Sequence, residues 1–349
     1  MSGYLTQKLH DLDPLPDFRL GDARSPDTLR DRLRSAVIGQ DDAVDAVVRA
    51  LTISAAGIRD PYRPVASLLF VGPTGVGKTE LARQIAAEVR GDPDNLCRID
   101  MNALAQEHYS ASLSGSPPGY AGSKEQFSLF QRDRIEGTVS RPGVVLFDEV
   151  EKAHTTVLRA LLQILDTGTL RLAAGTSTID FRNCIVLLTS NLGSRDIARD
   201  RMQPLRSRLR TGVDRIRGAP AGDRATVATA VERFFDPELF NRFDEVVYFD
   251  ALDRTSAAAI VDAQIASLTA QLRGRDVICT IDDGARAEIL DAGFDRTYGA
   301  RNLHRTLRSM LYAVVADVIV RHRASTDHPL RLRVSVVGGA LVCVPDAER

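Results

Sequence analysis

Residues 72–79, GPTGVGKT, constrain this chain more than any other feature. They fit the pattern G-x-x-x-x-G-K-[ST], a loop whose glycines turn tightly and bring successive backbone N–H groups close to phosphate oxygens. An apolar run at 68–71 leads in and a helix-compatible stretch at 80–89 leads out, the strand–loop–helix context the motif requires. The helix N-terminus behind the loop adds a dipole that favours anions. Gly72, Pro73, Thr74, Gly75, Val76 and Gly77 therefore read as a phosphate cradle, Lys78 as the contact to the β- and γ-phosphates, and the Thr79 hydroxyl as a Mg²⁺ ligand. Only four of the 45 basic residues are lysines (Lys8, Lys78, Lys124 and Lys152). A compact ammonium at 78 thus stands against a strong bias toward the planar guanidinium.

Two further strand ends complete the chemistry. Val144-Val145-Leu146-Phe147 is an apolar run that delivers Asp148 and Glu149. A buried strand ending in two carboxylates after a phosphate loop places Asp148 to hold Mg²⁺, mostly through water. It places Glu149 to orient and polarise an attacking water. The run at 185–191, IVLLTSN, ends in Asn191, which is placed to hydrogen-bond the γ-phosphate or the water.

The rest of the chain fits an α/β enzyme. Its 349 residues suffice for two or three domains, with 44% hydrophobic and 26% charged residues. The net charge of −1 points to neither nucleic acid nor an anionic membrane. No apolar run approaches a membrane span, and the start, MSGYLTQKLHDLDP, lacks the apolar core of a signal peptide, so a cytoplasmic location is expected. Cys97, Cys184, Cys279 and Cys343 are scattered through apolar runs and read as buried, reduced thiols. Residues 1–34 are polar, carry Pro14, Pro16 and Pro26, and read as a mostly irregular arm with room for one short helix. A helix is expected over 40–56, ended by Gly57 and Pro61. Strands are expected at 67–71, 97–100, 144–148, 184–190 and 245–249, with helices such as 79–89 and 155–166 between them. That alternation predicts a mostly parallel five-stranded sheet covered on both faces. After Asp250 the pattern changes to a helix at 254–273, a strand at 277–281, a helix at 283–291, a long helix at 300–323, and a hairpin turning on Gly338-Gly339. A smaller α+β domain closes the chain. Nine arginines lie within 195–224 with only four acidic residues, a solvated helix and loop or a docking patch for an acidic partner.

Nine segments in order carry a resemblance: VIGQDDAV (37–44), GPTGVGKTELA (72–82), RIDM (98–101), SPPGYAG (116–122), LFDEVEKAH (146–154), DFRN (180–183), LTSNLGS (188–194), FDPELFNRFDEVV (235–247) and YGARNL (298–303). The chain resembles an AAA+ ATPase of the Clp chaperone family, most closely the second ATPase module of ClpA- and ClpB-type unfoldases. The resemblance implies a P-loop large domain over 35–249 and a Clp-type small domain over 250–349. It implies ATP and Mg²⁺ as cofactors, and a homo-oligomeric ring, typically a hexamer.

The resemblance also implies roles for residues outside the loop. Val37 and Ile38, with nearby Gln40, match the segment that packs against adenine. Arg242 matches the arginine finger that enters the neighbouring subunit's site, and Arg301 matches the second sensor on the small domain. Gly119, Tyr120, Ala121 and Gly122 match the central pore loop, with Tyr120 as the aromatic that grips a polypeptide. The resemblance covers a single module, and 195–233 carries no hydrophobic-Gly-hydrophobic tripeptide of the kind that docks a peptidase. The expected activity is ATP-driven remodelling or unfolding of polypeptides, with an adaptor as a possible further partner. The rival is a regulator that uses ATP to hold or release a protein without threading it. A nucleic-acid motor using the 195–224 arginines is the weakest of the three, given the neutral net charge.

Overall fold

The apolar runs before residue 250 form a five-stranded, all-parallel sheet. In the computed structural model, which describes residues 25–106, 129–138, 141–171, 178–193, 223–295, 299–322 and 329–346, the strands in chain order begin with β1 (Ala66–Val71), β2 (Cys97–Asp100) and β3 (Gly143–Asp148). They continue with β4 (Thr169–Arg171), β5 (Thr178–Asp180), β6 (Cys184–Ser190) and β7 (Glu245–Tyr248). The sheet order is β2-β3-β6-β1-β7, while β4 and β5 pair separately as a small antiparallel ladder. Strands β1, β3 and β6 are buried at every position. That explains why their sequences are unbroken apolar runs rather than alternating ones. Edge strand β2, Cys-Arg-Ile-Asp, alternates buried and exposed instead, because one of its faces is open.

The helices of this unit are α1 (Pro26–Ala36), α2 (Asp41–Ala55), α3 (Lys78–Arg90), α4 (Arg132–Ile135), α5 (Thr155–Thr167), α6 (Asp223–Phe234) and α7 (Pro237–Phe240). Helix α1 is the short helix of the arm and runs two residues past residue 34, where the arm was expected to end. Ser25 caps it by accepting the Thr28 N–H at 3.2 Å, and Pro26 occupies the first turn. Such a cap stabilises a helix start by about 1 kcal/mol. Its apolar anchor is only Leu29 and Leu33, one turn apart and both buried. Helix α3 buries Leu81, Ala82, Ile85, Ala86 and Val89 and ends at Gly91, whose φ of 78° makes a left-handed C-cap.

By its contacts the chain divides into two units. The first holds residues up to Gly72 and Gly77–Asp250; the second holds Ala251 onward, together with Pro73–Val76. The second unit contains α8 (Arg254–Arg273), β8 (Val277–Ile281), α9 (Asp283–Gly293), α10 (Gly299–Thr306), α11 (Ala313–His322), β9 (Leu330–Val337) and β10 (Ala340–Pro345). Strands β9 and β10 are antiparallel, β8 and β9 parallel. Gly338 and Gly339 turn the hairpin with φ of 60° and 79°, as a two-residue turn of this hand demands.

The expected long helix over 300–323 is helical throughout Gly299–His322, as α10, a π-helical stretch at Leu307–Tyr312, and α11 in unbroken succession. Its fully buried apolar side chains, Leu303, Leu307, Leu311 and Val315, recur every four residues. An α-helix turns about 40° past one full circle in four residues, and the wider π turns take up that drift and keep the stripe on the core. All four cysteines are buried and unbridged, and burial pushes the Cys279 thiol up to about 11. Among the described residues no helix is long and apolar enough to cross a membrane.

Candidate active site

Strand order decides which side chains meet. Strand β6 lies between β3 and β1, so the carboxyl ends of these three strands open on one edge, where parallel sheets bind ligands. In register, Phe147 stands beside Leu188, and the next pair along is Asp148 and Thr189. Gly72 follows β1 with φ of 150°, and a Cβ there would stand 2.4 Å from the Phe249 carbonyl oxygen. Gly77 has φ of 111° and begins α3 with no side-chain cap, which leaves this end of the helix suited to an anion.

Lys78 is only 7% exposed. Its ammonium donates to the Gly72 carbonyl at 2.7 Å and to Asn191 Oδ1 at 2.9 Å. The other end of the Asn191 amide donates to Glu149 Oε1 at 3.2 Å. Asn191 thus joins Lys78 to Glu149, and its own backbone N–H donates to Glu151 Oε1 at 3.0 Å.

Glu149 has φ 60° and ψ 54°, a left-handed conformation that costs a residue with a side chain roughly 1–3 kcal/mol. Its N–H donates to Thr189 Oγ1 at 2.9 Å, and its carbonyl accepts the Lys152 N–H at 2.9 Å. Asp148, 8% exposed, has both oxygens engaged. Thr189 Oγ1 donates to Oδ1 at 2.5 Å, and Arg98 of β2 donates to Oδ2 at 3.1 Å from Nε and 2.5 Å from Nη2.

These residues fit a nucleoside triphosphate with Mg²⁺. The glycine at 72 leaves no room for a side chain, a buried ammonium stands beside the helix start, and the hard oxygen donors Thr79 and Asp148 suit Mg²⁺. Asp148 already holds a cationic partner in Arg98.

Other expected residues fall as follows. Val37 is 4% exposed and its Cγ1 lies 3.1 Å from where a Cβ on Gly77 would stand; Ile38 beside it is half-buried. Gln40 is buried, and its amide exchanges two 3.0 Å hydrogen bonds with the backbone of Asp250. It anchors the Val37 segment beyond β7 rather than presenting its amide to a ligand. Arg301 is exposed on α10 in the second unit.

Arg242 does not join the Lys78–Glu149 cluster. Its carbonyl accepts from the Ser67 hydroxyl at 3.0 Å, and from Arg63. Ser67 is near the amino end of β1, whereas Gly72 follows its carboxyl end, about 16 Å of strand away. The Arg242 guanidinium pairs with Asp166 at 3.0 Å. Gly119, Tyr120, Ala121 and Gly122 lie outside the described residues, as does the arginine-rich segment up to residue 222. Arg224 is described, and it is committed to ion pairs with Asp42 at 2.7 Å and Asp250 at 2.6 Å.

Sequence reading did not assign Arg98, Thr189 or Glu151 to the site. All three sit in the quoted motif segments, and that proximity was the available signal. Which of them touch the acidic pair depends on strand register.

A buried P-loop lysine joined through an amide to an acid pair at the ends of a parallel sheet defines a P-loop ATPase module. The comparisons agree: residues 63–246 match the AAA domain (Cdc48 subfamily), and residues 252–331 match the C-terminal D2-small domain of ClpB protein. The chain belongs to the Clp family of AAA+ ATPases and, like them, hydrolyses ATP. It is 53% identical to an ATP-dependent protease ATP-binding subunit-like protein of Rhodococcus erythropolis, over 88% of this chain and 86% of that protein. It is 43% identical to the similarly named AmiB of Pseudomonas aeruginosa, over 86% and 81%. A cryo-EM structure of Hsp104 in a closed state with ATPγS and FITC-casein superposes with a TM-score of 0.74 and 30% identity, covering 92% of this chain and 51% of that one.

Proposed function

We propose that this chain is a ring-forming motor, hexameric and cytoplasmic, that uses ATP hydrolysis to remodel or unfold polypeptides. The observation that carries the ring is the position of Arg242. It lies at the amino end of β1 in its own subunit, so an arginine finger there serves a neighbour's site and the active unit is an assembly of copies. The casein present with the Hsp104 structural neighbour supports a polypeptide substrate.

ATP supplies the phosphoanhydride that water cleaves, and a bound Mg²⁺ would polarise its phosphate oxygens. Lys78 would offset charge on the phosphates, Thr79 and Asp148 would hold the cation, and Glu149 would accept the proton of the attacking water. Asn191 keeps Glu149 and Lys78 in register. Arg242 of the adjacent copy and Arg301 stabilise negative charge that builds on the transferring group.

The test is the ATPase rate per subunit across enzyme concentration, with and without unfolded casein. The rate rises with concentration, and rises again with casein. Tyr120→Ala removes the casein-dependent increment and lowers substrate unfolding far more than it lowers turnover. A rate that depends on concentration but ignores casein, with no unfolding of substrate, favours the regulator that holds and releases a partner.

Arg242→Ala is expected to bind ATP normally and to lose hydrolysis by about 1,000-fold, the range seen for other arginine fingers. Mixing it with Lys78→Ala subunits, whose fingers are intact, restores turnover. Absence of rescue in rings shown by fluorescence to be mixed rejects a finger acting between subunits.

A further inference from the structure

We propose that Thr189 is a positioning residue for both acidic residues of the site, an assignment that rests on the ATPase reading of Asp148 and Glu149. Thr189 is 1% exposed and lies on β6 one residue past the last β3–β6 pair, Phe147 with Leu188. A hydroxyl has one proton and two lone pairs, and here their directions are set. The Asp148 carboxylate, whose Oδ2 is already paired with Arg98, only accepts, so the Thr189 proton points to Oδ1 at 2.5 Å. The oxygen then accepts the Glu149 N–H at 2.9 Å.

One buried atom thereby orients the Asp148 side chain and holds the Glu149 backbone. That backbone is in the left-handed region, where a residue with a side chain stays only if its surroundings hold it. Nothing local in Asp148-Glu149-Val150 favours that conformation, since no glycine or asparagine is present. The threonine Cβ branch restricts the hydroxyl to few rotamers and keeps it aimed. Glu151 acts alongside it: its Oε1 takes the Asn191 N–H, so the ends of β3 and β6 are tied at two points forty residues apart in sequence. Thr189 touches neither phosphate nor water in this role; it acts through the two acids.

Valine at 189 keeps the shape and removes the hydroxyl. The experiment measures steady-state ATPase of the full chain against ATP and against Mg²⁺, with binding of a fluorescent ATP analogue as a separate readout. Thr189→Val lowers kcat about 10- to 100-fold, the scale of a misplaced catalytic group. It raises the half-saturating Mg²⁺ concentration about tenfold, the scale of losing a partner of a metal ligand. Analogue binding without Mg²⁺ stays close to that of the parent, and Thr189→Ser recovers most of both losses. A purely packing role moves melting temperature but not the Mg²⁺ requirement, and serine, the smaller residue, does not rescue it.

A Thr189→Val enzyme with kcat and Mg²⁺ requirement within about twofold of the parent overturns the proposal. If the valine variant does not fold, Thr189→Ala is judged by the same thresholds. Glu149→Gln is run in parallel. Full turnover by that variant overturns the reading of the site and this proposal with it, whereas a silent Glu149→Gln beside a normal Thr189→Val overturns this proposal alone.

Discussion

Glu149→Gln binds ATP as the parent does and hydrolyses it about 100- to 10,000-fold more slowly, the range contributed by a positioned general base. The substitution is nearly isosteric. A glutamine Oε1 still accepts from Asn191 Nδ2, the contact Glu149 makes at 3.2 Å. The backbone hydrogen bond to Thr189 is untouched, so the left-handed turn persists. What disappears is the negative charge and the capacity to take a proton. Binding is followed with a fluorescent nucleotide and turnover by phosphate release. Turnover at the parent rate removes Glu149 as the base.

Lys78→Ala loses ATP affinity by about 100-fold or more, as expected when a charge-assisted contact to phosphate is removed from a water-poor site. The lysine is buried at 7% exposure and its ammonium is already aimed by Gly72 and Asn191. Little ordering therefore remains for it to undergo on binding, and its contribution is correspondingly large. Circular dichroism and melting of the variant report that the sheet is intact; isothermal titration reports affinity. Affinity within about threefold of the parent means that Lys78 is a structural tie between the loop and β6.

Much of the fold was legible because strands buried on both faces leave continuous apolar runs in the sequence. The three central strands are buried throughout, so their apolar runs were unmistakable, and the observed bounds differ from the expected ones by at most one residue. Helix α1 was only partly seen because two leucines among polar neighbours make a weak stripe, although Ser25-Pro26 is a helix-start signal. The β4–β5 ladder escaped notice because three-residue strands are too short for any periodicity to show. The π stretch at 307–312 escaped because a buried residue every fourth position looks helical until the helix must stay on a flat core.

For the site, the local motif determined the loop: residue types at 72–79 dictate a backbone that admits phosphate and a lysine that reaches it, since glycine freedom and side-chain charge are properties of the residues themselves. The same holds for two acids at the end of an apolar run. Tertiary structure alone decided what holds those acids. Thr189 meets Asp148 across 41 residues, and Arg98 meets it across 50. Those meetings exist because β3 is flanked by β2 and β6 in one register. The same tertiary arrangement put Arg242 at the far end of β1, away from Lys78. A hydrogen bond needs atoms within about 3 Å, and the path of the backbone through the sheet, not residue identity, brings distant residues that close.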